Sequence, residues 1–492
     1  MERRGYQERA FKESVAALTG GGGFLLTLEM RTGKTPVSLR VASHFMIEEQ
    51  ERNGRTLTLL IVCPPVAVPV WKAHIKKMGV PDDTLILTYN ELCASHKAWY
   101  RWGRKNRGFF MILDEAHFIK TRGSDRSRVV RTLAKRSKYR LALTGTPISQ
   151  GIQDAWAIYD YLGQVFGPWD DQWEGGLDGH IVPGFETTYL IYGGFRNHEI
   201  VGYRNEDQFN KIFNEHSFRT TLREAKQEGG KGSMVLRYQK RHFDLDAISQ
   251  GVYDTLQEEL EVIVNAKKIR VPNVLSCVAK LQQICGGFII EQIFTGRYSK
   301  RGKPKYKKEI HQIPGEGKLQ LLLKEVESLP RGKFIVICRF IHELEAAQQA
   351  LQAEGYSVAI VRGGMPYDGE FATDVICMQI QSGMAVDMSK ADTVIFYSLD
   401  YSYINFEQSR FRILNYDKNR GNYIFLLAKG TVDEIVYAAI KTKKRVADLV
   451  VDRYRIRRKR HARLKQADRR LEGETEGKTR RSIPISFARI RG

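Results

Sequence analysis

Short apolar runs alternate with longer amphipathic segments through the first third of the chain. The runs cover residues 24–28, 57–63, 85–89, 109–113 and 140–143. An uninterrupted apolar run of this length is typical of a strand that is buried on both faces, and the intervening segments have helical periodicity. Strands that alternate with helices predict a doubly wound α/β unit with a parallel sheet, whose ligand loops lie at the carboxyl ends of the strands.

The same alternation returns in the second half of the chain. Apolar runs at 333–338, 357–361, 375–378 and 394–397 flank helical segments, which predicts a second α/β unit of the same build. The stretch between the two units is rich in glycine and shows no clear alternation, so we interpret it as a mainly helical insertion. The predicted parts are a first lobe at 1–165, an insertion at 166–240, a second lobe at 241–440 and a basic extension at 441–492.

The charge balance points to a polyanionic partner. Among 492 residues, 78 Lys and Arg against 56 Asp and Glu give a net charge of +22, and residues 441–492 hold 19 of the former and 6 of the latter. Nucleic acid is the first candidate and a membrane surface the second. No apolar run approaches the roughly 20 residues that span a bilayer, and no signal-peptide pattern is found. We therefore expect an intracellular protein, of the cytoplasm and nucleoid or the nucleus, with no membrane partner.

One loop at a predicted strand end has the features of a phosphate-binding loop. Residues 29–35 read Glu-Met-Arg-Thr-Gly-Lys-Thr and lie between a strand and a helix that we place from about residue 37. In such a loop, backbone N–H groups and the helix N-terminus face the phosphates. Lys34 is placed to neutralise the β- and γ-phosphates of ATP, and Thr35 to ligate Mg²⁺. The first glycine of the full motif is absent, because residue 28 is leucine.

Two further strand ends carry polar residues. Asp114 and Glu115 directly follow the apolar run 109–113, and Thr-Gly-Thr-Pro occupies 144–147. Asp114 is placed to hold Mg²⁺ and Glu115 to polarise a hydrolytic water. The alternative is a pair of solvated carboxylates. Three loops that converge on one edge of a parallel sheet favour a common nucleotide site.

These motifs, in this order, resemble those of superfamily 2 helicase motors and of the Swi/Snf-like branch in particular. The resemblance rests on Tyr6-Gln7, residues 29–35, Cys63-Pro64, Asp114-Glu115-Ala116-His117, and Leu143 to Ile148 with Trp156. It implies two tandem RecA-like parallel-sheet lobes that use ATP and Mg²⁺, and it implies that Gln7 reads adenine. The residues that it implies for the nucleotide are Gln7, Arg31, Thr32, Gly33, Lys34 and Thr35, and those for coupling to the nucleic-acid groove are Thr144, Gly145 and Thr146.

In the second lobe, residues 381–394 resemble the fifth motif of the same family. Gly383 keeps one of its glycines, whereas Asp387 stands where the family usually has asparagine. We take Gly383 and Asp387 as further nucleotide-cleft positions.

A sixth motif is recognisable at 405–412. A motor of this class needs an arginine that crosses the cleft and meets the γ-phosphate as charge develops. Arg412 is our candidate and Arg410 the second, because the usual position of this arginine in the family falls on Asn415.

Together these features predict an ATP-dependent DNA helicase or translocase. Its expected reaction is nucleic-acid-stimulated hydrolysis of ATP to ADP and phosphate, which drives movement on duplex, forked or branched DNA in repair, recombination or replication. Two alternatives stay open: an RNA helicase, and an ATP-gated clamp that binds nucleic acid, single strands included, without moving. A basic segment at 296–308 is either a phosphate-binding loop or a solvated hairpin.

Overall fold

The structure is a computed structural model. It describes residues 4–81, 84–106, 108–148, 151–163, 165–174, 180–193, 199–266, 271–298, 304–313, 315–330, 332–363, 371–381, 388–414 and 417–442. Within these ranges no helix is both long and apolar enough to cross a bilayer. The candidate positions Gly383 and Asp387 lie outside the described residues, as do Asn415 and nearly all of the predicted basic extension.

The strands follow one another in chain order. They are β1 (Gly22–Leu28), β2 (Leu59–Cys63), β3 (Leu85–Thr88), β4 (Phe110–Asp114), β5 (Tyr139–Leu143), β6 (Gln172–Glu174), β7 (His180–Val182), β8 (Leu190–Gly193), β9 (Glu199–Tyr203), β10 (Ser217–Thr220), β11 (Val235–Phe243), β12 (Phe288–Tyr298), β13 (Pro304–Gln312), β14 (Phe334–Cys338), β15 (Val358–Val361), β16 (Val375–Gln379), β17 (Thr393–Phe396) and β18 (Arg420–Ala428).

The α-helices are numbered in the same way. They are α1 (Gly5–Leu18), α2 (Lys34–Asn53), α3 (Val68–Met78), α4 (Tyr89–Ala94), α5 (His96–Lys105), α6 (Asp125–Ala134), α7 (Gln153–Gly163), α8 (Phe185–Tyr189), α9 (Glu206–Glu215), α10 (Leu222–Glu228), α11 (Ala247–Ala266), α12 (Val271–Cys285), α13 (Gly317–Glu327), α14 (Ile341–Ala353), α15 (Tyr403–Arg410) and α16 (Val432–Thr442).

Two six-stranded sheets, parallel throughout, form the centres of the two lobes. Their strand orders are β10-β1-β5-β4-β2-β3 and β11-β18-β17-β14-β16-β15. Successive residues of a strand enter different cores: Leu60 packs on one face of the first sheet, and Ile61 packs on the other. Burial on both faces explains the continuous apolar runs in the sequence. The predicted fold class of two tandem α/β lobes is confirmed.

The sheets extend across the limits that we predicted for the insertion. β10 lies within 166–240 but pairs with β1 in the first sheet, and β11 straddles residue 240 and pairs with β18 in the second. Both are edge strands, and the outer residues of β11 are largely exposed, so neither has the apolar run of a central strand. The segment contains helices, as expected, together with the hairpins β6-β7 and β8-β9. The domain boundaries stay predictions.

The described parts of the basic segment, 296–298 and 304–308, belong to the outer part of an antiparallel hairpin. β12 pairs with β13 from Phe288↔Gln312 outward, with an irregularity between Phe294 and Tyr298. The described parts of the segment thus form a hairpin, and its predicted contact with phosphates stays a prediction.

A buried ion pair holds the second lobe together. Lys318 Nζ, at the start of α13, lies 2.6 Å from Asp433 Oδ2 of α16, and both side chains are almost completely buried. The same carboxylate oxygen accepts the backbone N–H of Ala428 at the end of β18. Burial alone would lower the pKa of Lys318, but Asp433 and the buried Glu343 outweigh that effect and raise it. The ion pair and the backbone hydrogen bond to the same carboxylate connect α13, the end of β18 and α16.

We predict that Lys318→Met destabilises the second lobe by about 3–5 kcal/mol, because Asp433 is left buried without its counter-charge. Urea unfolding followed by circular dichroism measures this loss. Lys324→Met, an exposed lysine of the same helix, is the control and should change stability by less than about 0.5 kcal/mol. Equal unfolding midpoints for the two variants would contradict the assigned role of the ion pair.

Candidate nucleotide site between the two lobes

The phosphate-loop candidate lies between β1 and the N-terminus of α2. Two of its residues have left-handed backbone conformations, Arg31 with φ 66° and Gly33 with φ 89°. A Cβ on Gly33 would lie 2.4 Å from Gln7 Nε2, so both the backbone and the available space require glycine there. Such local strain, held by surrounding contacts, is typical of ligand-binding loops.

Two side chains of α1 hold this loop in place. The hydroxyl of Tyr6 and the Nε2 of Gln7 both donate to the backbone oxygen of Thr32, at 2.9 and 3.1 Å. The structure thus brings Gln7 to the phosphate loop, and its contact with adenine stays a prediction. Tyr6 was part of the resemblance but received no role from the sequence, because its contact with Thr32 spans 26 positions.

The side-chain amine of Lys34 is buried beside Glu115 without a hydrogen bond of its own in the described part of the chain. Its nearest ion-pair partner is Glu115 Oε1 at 3.6 Å. A buried ammonium normally has its donors satisfied. The phosphate oxygens of a nucleotide are the acceptors that such a group lacks, so Lys34 fits its predicted role.

Asp114 is the last residue of β4, and both of its carboxylate oxygens accept hydrogen bonds. Trp71 Nε1 of α3 donates to Oδ2 at 2.9 Å, and the backbone N–H of Glu115 donates to Oδ1 at 3.0 Å. Burial, and then the neighbouring charge of Glu115, raise the pKa of Asp114. Tyr89 donates to the backbone oxygen of Asp114 at 2.8 Å. The solvated-carboxylate alternative is wrong for this residue, which is 9% exposed.

The pKa of Glu115 is shifted in the opposite direction to that of Asp114. Burial alone would raise its pKa, but Lys34, His117 and Arg412 outweigh that effect and lower it. Its backbone is left-handed, with φ 50°, which turns the chain sharply after the strand. The carboxylate therefore stays ionised while it is held out of bulk water.

His117 connects this carboxylate to the next strand end. Its Nδ1 lies 3.3 Å from Glu115 Oε2 and 3.4 Å from the hydroxyl of Thr144. Thr144 in turn accepts the backbone N–H of Thr146 at 3.1 Å. A Cβ on Gly145 would lie 3.8 Å from Lys34 Nζ. The three strand ends that were predicted to converge are thus in contact.

The second lobe supplies an arginine to the same cleft. Arg412 is 4% exposed, and its charge is among those that lower the pKa of Glu115. Arg410 binds within its own lobe instead, donating to the hydroxyl of Tyr238 and to Glu407 Oε2, both at 2.5 Å. The electrostatic interaction with Glu115 therefore favours Arg412 over Arg410 as the candidate for the group that acts across the cleft.

The first finding from comparison with known proteins is a family match. Residues 75–287 match the family described as the SNF2-related domain. Over these residues the match supports the resemblance to the Swi/Snf-like branch of superfamily 2. The resemblance stated from the sequence motifs is thereby confirmed.

Curated relatives of this Swi/Snf-like chain are distant and longer. It is 21% identical to the chromodomain-helicase-DNA-binding protein 1-like of Mus musculus, over 91% of this chain and 50% of that protein. It is 21% identical to the SWI/SNF-related subfamily A member 1 of the same species, over 81% and 37%. An uncharacterized ATP-dependent helicase of Mycoplasma genitalium is 19% identical, over 88% and 40%. The chain spans half or less of the length of these relatives.

Solved structures give similar coverage. The Sulfolobus solfataricus SWI2/SNF2 ATPase core in complex with dsDNA is 17% identical, covers 90% of this chain and 91% of its own, and has a TM-score of 0.39. The Pyrococcus furiosus Hef helicase domain is 13% identical, covers 89% and 98%, and has a TM-score of 0.47.

Helix α10 of the Swi/Snf-like chain links the phosphate loop to the second lobe, a role that the sequence did not reveal. The backbone N–H of Leu222, at its start, donates to Glu29 Oε2 at 2.7 Å. The buried amine of Lys226 donates to Asn419 Oδ1 at 2.6 Å and to the backbone oxygen of Lys418. These contacts join residues more than 190 positions apart, so no local pattern could predict them.

The polar groups at the strand ends fit a magnesium ion. A carboxylate from Asp114 and a hydroxyl from Thr35 are the hard oxygen ligands that Mg²⁺ prefers, and the ion usually completes its shell with water and phosphate oxygens. The raised pKa of Asp114 fits the same role, because Lys34 does not offset the effects of burial and of the Glu115 charge on this carboxylate. Both residues stay predictions as metal ligands.

We predict that Trp71→Phe weakens Mg²⁺-dependent nucleotide binding about tenfold, because outer partners that orient a metal ligand typically contribute 10–100-fold. Binding of a fluorescent ATP analogue over a Mg²⁺ titration measures this without turnover. The control is Trp156→Phe, which also deletes an indole hydrogen bond, to the backbone oxygen of Gly167. An unchanged Mg²⁺ midpoint for Trp71→Phe would exclude a positioning role for the indole.

Proposed function

We propose that the chain is an ATP-hydrolysing motor that moves along duplex DNA. The observation that carries the proposal is the meeting of charges from two lobes in one cleft. Lys34 and Glu115 belong to the first lobe, and Arg412 of the second lobe lowers the pKa of Glu115. Hydrolysis in a motor must depend on the position of the lobes, and a group that crosses the cleft provides that dependence.

Each residue has a role in this proposal. Glu115, held ionised, accepts a hydrogen bond from the attacking water and orients it. Lys34 and Arg412 neutralise the charge that develops on the phosphoryl oxygens. Asp114 and Thr35 hold Mg²⁺, which supplies further charge neutralisation at the phosphates.

Gln7 gives specificity for adenine in the same proposal. Its Nε2 already donates to Thr32, so its carbonyl oxygen is the atom that would accept the adenine amino group. An amide that touches both base and phosphate loop would let the loop respond to the identity of the nucleotide.

Coupling to DNA runs through two contacts of the cleft. His117 lies between Glu115 and Thr144, so a change at the hydrolytic carboxylate reaches the loop at 144–147. Helix α10 joins Glu29 to the second lobe through Leu222 and Lys226. Closure around ATP and opening after hydrolysis would then shift one lobe relative to the other.

The case for DNA rests on charge and relationship. The net charge of +22 favours a polyanion, and the names of the curated relatives include a DNA-binding helicase and a regulator of chromatin. We propose duplex, forked or branched DNA as the partner and repair, recombination or replication as the setting. Phosphate contacts would dominate, so binding should weaken steeply with salt.

We predict that Glu115→Gln lowers ATP turnover by about 100-fold or more while nucleotide binding persists, because general-base groups typically contribute 10²–10⁴-fold. Phosphate release measures turnover, and a fluorescent ATP analogue measures binding. Glu91→Gln, a helix-capping carboxylate in the same lobe, is the control and should turn over ATP normally. Normal turnover by Glu115→Gln would refute the assigned site.

The wild-type panel separates the candidate functions. Turnover is compared with duplex DNA, forked DNA, single strands and RNA, and triplex displacement on duplex DNA reports movement. Stimulation by RNA alone would replace the proposal with an RNA helicase. Stimulation by duplex DNA without displacement would favour an ATP-gated clamp.

We predict that Arg412→Ala lowers DNA-stimulated turnover by about 10³-fold, within the range typical of an arginine that meets the transferring phosphoryl group. Arg412→Lys should recover little, because lysine lacks the planar fork of donors. Arg410→Ala should instead lower the stability of the second lobe, because its bonds to Tyr238 and Glu407 are removed. A larger turnover loss for a well-folded Arg410→Ala would reverse the assignment.

A further inference from the structure

The hairpin β12-β13 exposes aromatic rings that nothing in the nucleotide cleft uses. Tyr298, Tyr306 and Phe294 are 63%, 52% and 44% exposed, the highest values for aromatic side chains among the described residues. Phe294 contacts both tyrosines, with ring centroids 5.5 Å from Tyr298 and 5.8 Å from Tyr306. We call these three residues the aromatic tip. Large apolar groups gathered at an exposed position indicate a binding surface.

The base of the hairpin is fixed to the second lobe. Phe288 is fully buried and packs against the rings of Phe340 and His342, directly beyond the carboxyl end of β14. The backbone N–H of Ile313 donates to the oxygen of Gly287 at 2.8 Å and closes the hairpin. Phe294 lies six positions beyond Phe288, so at about 3.3 Å per residue the tip stands about 20 Å from its anchor.

The sequence of the hairpin that carries the aromatic tip is basic. Residues 288–312 contain seven Lys and Arg against two Glu. The carboxylate of Glu309 pairs with Lys307, and that of Glu291 pairs with His311. Arg297, Lys305 and Lys308 are exposed and form no ion pair within the described part of the chain. The basic groups near the rings therefore face solvent rather than a partner of their own.

The strand register places rings and charge together. Directly paired residues of an antiparallel ladder lie on one face, and that face recurs every second residue. Phe294 pairs with Tyr306, and Lys308 lies two residues further along the same strand. In this combination, the aromatic ring can stack on a base and the neighbouring ammonium group can bind the phosphate of the same nucleotide.

We propose that the aromatic tip is a binding site for the unpaired bases of single-stranded DNA, such as the strand exposed at a fork. This inference rests on the proposed function, since it adds a second contact for the same DNA. Bases inside a duplex already stack on each other, so exposed rings can stack only on bases that are unpaired or terminal. The lysines and Arg297 would hold the adjacent phosphates.

The alternative for a basic two-stranded ribbon is the major groove of duplex DNA, which accommodates such a ribbon. Three rings at the tip argue against it, because groove contacts to base edges and phosphates are made mainly by polar side chains. Stacking on unpaired bases and binding in the major groove predict different losses of affinity when only the aromatic rings are removed.

The test uses the full chain without ATP and measures binding by fluorescence anisotropy. The probes are a labelled oligothymidine and a blunt duplex of the same length. We expect Phe294→Ala with Tyr306→Ala to weaken oligothymidine binding about tenfold or more, as stacking on one or two bases typically contributes. Duplex binding should change by less than about twofold, and Phe294→Trp with Tyr306→Trp should bind oligothymidine at least as tightly as wild type.

Charge removal has a different signature. Lys305→Gln with Lys308→Gln should weaken binding of both probes. It should also reduce the slope of log affinity against log salt by about 1 for each phosphate that the variant no longer neutralises. Lys97→Gln with Lys105→Gln, two exposed lysines of α5, is the control for the reduced charge and should leave binding of both probes nearly unchanged.

Two results would overturn the inference. Unchanged oligothymidine binding by the alanine variant would exclude stacking at the tip, and equal losses on both probes would assign the hairpin to duplex DNA. A 2-aminopurine base in the oligonucleotide adds a direct signal, because stacking on the wild-type rings quenches its fluorescence, whereas the alanine variant should leave it bright. The proposed function fails separately, if wild type shows no ATPase stimulation by any nucleic acid.

Discussion

The constraint on which the structure depends is an excess of negative over positive charge among the residues that the first lobe places at the nucleotide cleft. Lys34 contributes one buried cation, whereas Asp114 and Glu115 contribute two carboxylates. The pKa values of these carboxylates shift in opposite directions, since that of Asp114 is raised and that of Glu115 is lowered. Two adjacent carboxylates in a poorly solvated site cannot both ionise easily without added positive charge. In the proposed complex, a magnesium ion at Asp114 and the guanidinium of Arg412 near Glu115 would supply that charge.

The phosphate loop also carries a connection between the lobes. Glu29 accepts a hydrogen bond from the first N–H of α10, where a carboxylate also complements the helix dipole. Its pKa is raised by burial, and Arg410 and Glu407 of the second lobe act on it in opposite directions. Lys226 then fastens the same helix to the loop before β18. Movement of the second lobe would therefore change the environment of Glu29 as well as that of Glu115.

Most of the central strands could be predicted because burial on both faces requires continuous apolar runs, and such runs are visible in the sequence. β18 is the exception: it is a buried central strand of the second sheet, and the sequence analysis missed it. All of the apolar runs correspond to strands within two residues, and their carboxyl ends meet where a parallel sheet requires. β10 and β11 were missed because one is only four residues long and the other lies exposed at a sheet edge. The helix start at Lys34 rather than near residue 37 reflects the left-handed Gly33, which lets the first turn begin at once.

The contacts that tune the site were beyond sequence reasoning for a different reason. Trp71 meets Asp114 across 43 positions, and Leu222 meets Glu29 across 193, so neither pair shares a helical or strand period. A buried tryptophan is ordinarily interpreted as core, and its indole N–H identifies it as a partner of the carboxylate only once the fold is known. Residue type and local pattern thus predict which strand ends carry chemistry. They do not predict which neighbours set the protonation state of that chemistry, because those neighbours are selected by packing between distant elements.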